Sequence, residues 1–214
     1  MDEEITIINE KTRNEKIKNF FIENKKILII SITAIIILII GFYSYQAYKV
    51  SHKKKVSDKY NISIIDFKNG NKSEVVLSML EIIGEKDSTY SPLALYFLID
   101  NGLIESKKEV NDLFDILINK TSLENEIKNL IIYKKALYNA DSTEENKLLD
   151  ILNPIINSKS VWKSHSLYLI AEYFYSKGEK QKSKEFFNQI ISLENGNQDI
   201  KKEALKRISR DLSD

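Results

Sequence analysis

The sequence ILIISITAIIILIIGFYSYQAY, residues Ile27 to Tyr48, decides how the rest of the chain is organised. It contains no charged residue, and its first half is dominated by Ile and Leu. An α-helix rises 1.5 Å per residue, so this stretch would be about 33 Å long, which is enough to cross a hydrocarbon core of about 30 Å. The sequence therefore predicts a transmembrane helix over residues 27–48.

The flanks of this stretch are typical of a membrane anchor that is not cleaved. Its apolar core, residues 27–42, is longer than the roughly 7–15 apolar residues of a signal peptide, and no cleavage pattern of small residues follows it. An aromatic belt and a lysine run come at its end: Tyr43, Tyr45, Tyr48 and Lys53 to Lys55. We predict four segments: a charged tail (1–26), the transmembrane helix (27–48), a basic juxtamembrane linker (49–56) and a helical domain (57–214).

The charges beside the anchor leave its orientation open. Six cationic residues precede it and five follow it closely, and the positive-inside rule depends on the difference. Within the tail, Thr12 and Glu15 have the spacing of a capping box, which predicts a helix start at Thr12. That helix could lie along the membrane interface or could extend the transmembrane helix, and the sequence supports both alternatives equally.

Composition argues against most kinds of catalytic or nucleic-acid-binding protein. The net charge is +1 and there are three arginines, Arg13, Arg207 and Arg210, so the forks that read phosphates and bases are scarce. The chain has no cysteine, two histidines (His52 and His165), and no glycine-rich phosphate loop. We expect no catalytic residue, no cofactor, no metal site and no nucleic-acid partner, and therefore a protein that is not an enzyme.

From residue 56 onward the apolar periodicity is helical throughout, which predicts an all-α fold. Asn-Gly pairs and single glycines separate amphipathic segments at approximately 56–68, 72–84, 91–101, 107–119, 124–139, 144–157, 161–177, 180–193 and 198–212. Ser91 and Pro92 are expected to start one helix, with Ser91 as the N-cap. Pro154 lies inside an apolar run, where it predicts a kink or an early helix end.

The first helix of each predicted pair begins near residues 57, 91, 124, 161 and 198, a spacing of 33–37 residues. Helix hairpins that repeat with this period are typical of tetratricopeptide arrays. The hairpin over residues 167–190 resembles the tetratricopeptide consensus, with small Ala171, Phe174 and the turn residue Gly178, although Ile190 replaces the usual Ala. We therefore predict a tetratricopeptide-like α-solenoid of about four hairpins, closed by a capping helix at 198–212.

This layout resembles the ancillary Sec-translocon subunit family (the YfgM-like proteins). The resemblance covers essentially the whole chain and rests on the architecture together with three local stretches, Tyr90-Ser-Pro-Leu-Ala94, Leu152-Asn-Pro-Ile-Ile156 and Ser160-Val-Trp162. It implies a single-pass protein of the bacterial inner membrane, with a cytoplasmic N-terminus and a periplasmic repeat domain. It also implies that the domain assists newly translocated client polypeptides together with the Sec translocon and periplasmic chaperones.

If binding is the function, the repeat surface must carry it. Tetratricopeptide arrays bind peptides along the face lined by first-helix residues. The candidate partner-binding side chains on those helices are Tyr60, Tyr96, Tyr133, Tyr168, Glu172 and Tyr175. The alternative to a periplasmic scaffold is an adaptor or receptor whose array lies in the cytosol. A third class, an enzyme regulator or lipid-transfer protein, would require a closed apolar cavity.

Overall fold

The computed structural model describes the backbone of residues 2–212 and the side chains of residues 13–212. All regular secondary structure in this range is helical, as the sequence predicts. The helices are α1 (Asp2–Glu23), α2 (Lys25–Lys68), α3 (Lys72–Gly84), α4 (Tyr90–Asp100), α5 (Lys107–Lys120), α6 (Asn125–Asn139), α7 (Glu145–Ile156), α8 (Lys163–Ser176), α9 (Lys180–Ser192) and α10 (Gln198–Asp211). The chain divides into two compact units, Met1–Lys55 and Val56–Asp214.

The described part of the tail is helical from Asp2 onward. Because α1 starts at Asp2, the predicted helix start at Thr12 is wrong; the Thr12 side chain itself lies outside the described residues. The backbone ladder continues across Asn24, whose amide donates to the Phe20 carbonyl (3.0 Å) and whose carbonyl accepts from Leu28 (2.9 Å). The backbone of the tail thus follows the alternative of a plain helical extension.

Helix α2 contains the apolar stretch that the sequence singles out. In the described part of the chain it is the one helix long and apolar enough to cross a membrane, by length and composition. Its side chains there are largely exposed, with Leu38 at 72% and Ile30 at 68%, as expected for a surface that lipid would cover. A helix satisfies its own backbone hydrogen bonds, and the Thr33 hydroxyl also donates to the Ile29 carbonyl (2.8 Å). Residues 49–56, predicted as a linker, continue the same helix.

The second unit is built from helices that pack in chain order. Its buried apolar side chains form three clusters, the first from α2 to α6, the second from α6 to α8 and the third from α8 to the end of α10. Each helix from α3 onward packs against the next one, and α8 also packs against α6 and α10. The largest fully buried side chains include Met79, Phe114, Phe174 and Phe187.

Several polar contacts join residues separated by about one predicted repeat length. The separations are 33 residues for Ser164 and Asn197, 34 for Glu126 and Ser160, 35 for Glu172 and Arg207, and 37 for Glu145 and Lys182. Contacts at similar separations are expected when equivalent positions of successive hairpins lie side by side.

The predicted ends of α3 to α10 agree with the structure to within about two residues, whereas the segment predicted at 56–68 is the last part of α2, which begins at Lys25. The predicted N-cap of α4 is wrong. Helix α4 begins at Tyr90, so Ser91 is not its N-cap. The Asp87 carboxylate instead accepts hydrogen bonds from the Thr89 and Tyr90 amides (2.8 Å each). The buried Ser91 hydroxyl donates to the Ile82 carbonyl of α3 (2.7 Å). The serine therefore joins two helices instead of starting one.

Three further predictions concern single residues. Of the kink or early helix end predicted at Pro154, the early end does not occur, since α7 continues through the proline to Ile156; the proline lacks the N–H of one ladder hydrogen bond. The turn predicted at Gly178 is confirmed by its φ of +79°, a conformation that favours glycine. Ala171 is fully buried, as predicted for the small residue of the hairpin.

Candidate interaction surface

The candidate binding residues lie on residues 56–68 of α2 and on α4, α6 and α8, which with α10 are the first helices of the predicted pairs. We call the line along which two consecutive first helices face each other a seam, named by its helices. The structure distributes the six candidates over different seams and does not gather them into one site. Most of them contact other parts of the chain.

Aromatic rings cover the α2–α4 seam. The Tyr60 ring lies against Tyr90 (ring centroids 5.7 Å apart), and Phe67 meets Phe97 edge to face (5.1 Å). Burial raises the pKa of the Tyr60 phenol above its ordinary value. Edge-to-face and tilted rings at these distances contribute packing energy beyond their buried area. Tyr60 therefore stabilises the fold at this seam.

A second aromatic group covers the α6–α8 seam. Tyr133 stacks on Trp162 (5.8 Å, interplanar angle 22°), and His165 lies 5.1 Å from the Trp162 ring and 6.0 Å from the Tyr133 ring. Burial raises the pKa of Tyr133. Beside these rings, the Glu126 carboxylate accepts hydrogen bonds from the Ser160 hydroxyl (2.8 Å) and the Val161 amide (3.2 Å).

Burial lowers the pKa of the His165 imidazole below its ordinary value of 6.5. The Val161 backbone opposes this shift, but its geometry does not satisfy a hydrogen bond, since the buried Nδ1 of His165 has no partner. Desolvation therefore dominates, and the ring is held in its neutral form within the aromatic group.

Charged side chains cover the α8–α10 seam. Arg207 of α10 donates from Nε and Nη2 to the two carboxylate oxygens of Glu172 (2.6 and 2.8 Å) and also contacts the Asp211 carboxylate. Its guanidinium lies 4.3 Å from the Tyr175 ring centroid. Tyr168 packs edge to face on Phe187 (5.3 Å). The three candidates Tyr168, Glu172 and Tyr175 are thus engaged inside the chain.

The α4–α6 seam differs because an open groove lies along it. The groove has a volume of about 480 Å³ and is lined by Ser88, Thr89, Pro92, Leu93, Tyr96, Ser122, Leu123, Glu124, Ile127, Leu130 and Ile131. Leu93 and Ile127 are each 41% exposed there, although they are large apolar residues. The groove therefore presents apolar surface to solvent.

Tyr96 is the one candidate residue that lines this groove. Its phenol oxygen is inaccessible to solvent and has no hydrogen-bond partner. Burial, with a smaller contribution from the Asp100 carboxylate, raises the pKa of Tyr96 to about 12. The Lys134 ammonium lies 5.7 Å from the centre of its ring. The hydroxyl is therefore a protonated donor without an acceptor.

A second, more polar groove of about 590 Å³ lies among α5, α6 and α7. Its walls hold an ion pair between Lys135 and Asp115 (2.7 Å) and a reciprocal amide pair between Asn111 and Asn139 (2.8 and 3.1 Å). These polar groups bond to one another, so they are not free to bind a ligand.

Sequence reasoning missed Leu93, Ile127 and Arg207. The two apolar residues lie in helical stripes that predict core positions, and nothing in a single sequence shows that no helix covers them. Arg207 carried a weak signal, as one of three arginines in a chain rich in lysine. Comparisons with protein families, with curated proteins and with solved structures find no match to this chain.

Proposed function

We propose that this protein is a membrane-anchored interaction scaffold whose second unit is a tetratricopeptide-like array of about four helix hairpins and a cap. The observation that carries the proposal is the continuity of α2, which joins an exposed apolar stretch of membrane length to a unit made of successively packed helices. The contacts at separations of 33–37 residues support the repeat assignment, because they equal the period read from the sequence.

We further propose that the anchor lies in a bacterial inner membrane with the N-terminus in the cytoplasm and the array in the periplasm. There the array would act without catalysis, assisting Sec-dependent secretion or envelope-protein folding together with the translocon and periplasmic chaperones. This part follows the family resemblance in architecture. The open apolar groove at the α4–α6 seam supports it, because a protein that receives unfolded chains needs exposed apolar surface.

The second candidate is an adaptor or receptor whose array lies in the cytosol. Nearly equal numbers of cationic residues flank the anchor, so charge does not select the periplasmic over the cytosolic orientation. The two candidates place the array on opposite sides of the membrane, and they differ in the same way for the tail.

Because the chain has no cysteine, single introduced cysteines decide the topology. Glu15→Cys reports on the tail and Asn195→Cys on the α9–α10 loop, and both positions are exposed. In cells whose outer membrane has been permeabilised, a membrane-impermeant maleimide should label Asn195→Cys at once and Glu15→Cys only after the inner membrane is disrupted. The reverse pattern would establish the cytosolic alternative.

The secretion role has its own test. Crosslinking in intact cells during a short pulse of radiolabelled amino acids should recover newly translocated polypeptides with this protein, together with translocon subunits. The recovery should disappear when translocation is blocked. Recovery that is unchanged by the block would refute the secretion role but not the proposal of a membrane-anchored array.

A further inference from the structure

We propose that the groove at the α4–α6 seam binds one extended polypeptide segment, which places an apolar side chain against Leu93 and Ile127 and a lysine or arginine beside Glu124. This inference rests on the interaction function proposed above and names the chemistry of the ligand.

The four seams of the second unit differ in the side chains that cover them. Aromatic rings cover the α2–α4 and α6–α8 seams, and the Arg207 ion pairs cover the α8–α10 seam. At the α4–α6 seam the contact described is the Lys134 ammonium above the Tyr96 ring, and a groove of about 480 Å³ remains open. Ligand sites in proteins commonly have volumes of about 300–1,000 Å³ and mostly apolar walls.

Apolar side chains of α4 and α6 line the groove. Pro92 and Ile131 are buried beneath the groove, whereas Leu93 on α4 and Ile127 on α6 remain substantially exposed. The two exposed side chains come from the two helices that border the seam, so one entering side chain could contact both. An apolar side chain is the group that such walls stabilise.

The groove also has a carboxylate in its lining. Glu124 lines the groove, and Asp100 lies close enough to Tyr96 to raise the pKa of its phenol. Within the described residues neither carboxylate forms an ion pair or a side-chain hydrogen bond. The Glu124 carboxylate in the lining therefore complements a basic residue in the ligand.

A polypeptide fits the groove better than a lipid chain. A lysine or arginine side chain of a polypeptide could pair with the Glu124 carboxylate, which lines the groove. An acyl chain would provide no cation for Glu124. A second copy of this protein remains an outcome for the experiment to distinguish.

The test uses the full-length protein in nanodiscs and two fluorescent peptides that differ at one position. Both are short and extended, with a central leucine; one has lysine beside the leucine and the other has glutamate. Fluorescence anisotropy should show that the lysine peptide binds about tenfold more tightly, the effect of one favourable charge contact. Glu124→Lys should reverse that preference.

Leu93→Ser and Ile127→Ser should each weaken binding of the lysine peptide by about tenfold. Leu137→Ser is the matched control, because Leu137 is also on α6 and is 46% exposed but does not line the groove. Its affinity should equal that of the parent protein. Thermal unfolding by circular dichroism confirms that each variant is folded, as expected for substitutions at exposed positions.

Equal affinity for the two peptides, or unchanged affinity in both serine variants, would overturn the inference. A concentration-dependent dimer that Leu93→Ser dissociates would assign the groove to a second copy, and displacement of the lysine peptide by a fatty acid would assign it to a lipid. If Leu93→Ser leaves the crosslinking to translocated polypeptides unchanged, the inference fails while the scaffold function stands.

Discussion

Replacing Arg207 with methionine should loosen the C-terminal end of the second unit by about 2–3 kcal/mol. The Arg207 side chain is 14% exposed, and its guanidinium pairs with both oxygens of Glu172. Methionine keeps the apolar stem of the side chain and removes the guanidinium. The variant therefore isolates the polar contacts of α10 with α8 from the packing of its apolar face.

The magnitude follows from the contacts. A hydrogen bond to a charged group contributes about 1.5–3 kcal/mol when it is buried. Glu172 is 34% exposed, so we reduce the bidentate pair to about 1.5–2 kcal/mol for solvent screening. The contact of the guanidinium with Tyr175 adds about 0.5–1 kcal/mol. Asp211 adds little, because it retains Arg210 as a partner (2.9 Å).

Hydrogen–deuterium exchange of the native full-length protein in nanodiscs measures this local effect. A loss of 2–3 kcal/mol should accelerate exchange of the α10 amides by about 30-fold to 150-fold and leave α3 to α5 unchanged. Lys206→Met is the control, because the neighbouring Lys206 is 68% exposed and pairs only with exposed Glu203 (2.6 Å). The double variant Arg207→Met with Glu172→Gln should recover part of the loss, since it leaves no unpaired carboxylate at position 172.

The reasoning would be refuted if Arg207→Met and Lys206→Met gave the same exchange in α10. It would also be refuted if the acceleration were equal in every helix of the second unit. In that case the ion pairs would contribute to global stability and would not hold the last helix in place.

Three further predictions concern other parts of the second unit. Tyr96→Phe should raise the free energy of unfolding in urea by about 1 kcal/mol, because it removes a buried hydroxyl without a partner; a decrease would mean that the hydroxyl is bonded. His165 should make stability fall at acidic pH: its folded pKa lies below 6.5, so its contribution is complete above pH 6.5 and is lost as the pH falls toward the lowered value. In the His165→Gln variant the urea midpoint should change less with pH over that range. An unchanged dependence of the midpoint on pH would contradict the assignment. Ala171→Arg should unfold α8 to α10, because Ala171 is fully buried and has no room for a charge; a thermal transition equal to that of the parent protein would show that the site can open.

The elements of the fold were largely predictable from local sequence. Helix ends follow from Asn-Gly and Gly residues, which adopt backbone conformations that other residues avoid, and Gly70, Gly102 and Gly178 all have positive φ. Prediction failed at the start of α4, where the Ser91 hydroxyl bonds to another helix and does not cap its own. At α4 the Asp87 carboxylate supplies the hydrogen bonds of the helix start, while the Ser91 hydroxyl bonds to α3.

The candidate residues show a similar division. Aromatic first-helix positions could be found from the period, but their contacts depend on residues about 30 positions away, such as Tyr90 for Tyr60 and Trp162 for Tyr133. A single sequence does not reveal which seam is covered by rings and which stays open. The groove beside Tyr96 therefore appears only when α4 and α6 are placed side by side.

The sequence by itself determined the anchor stretch, the all-helical second unit and the repeat spacing, because each depends on the order of apolar and polar residues along one segment. The tertiary structure decided which side chains are occupied and which remain available. Glu172 and Tyr175 are held by Arg207, whereas Leu93 and Ile127 keep exposed surface at an open seam. The physical reason is that exposure and pairing are properties of two surfaces in contact, and residues far apart in sequence form those surfaces together.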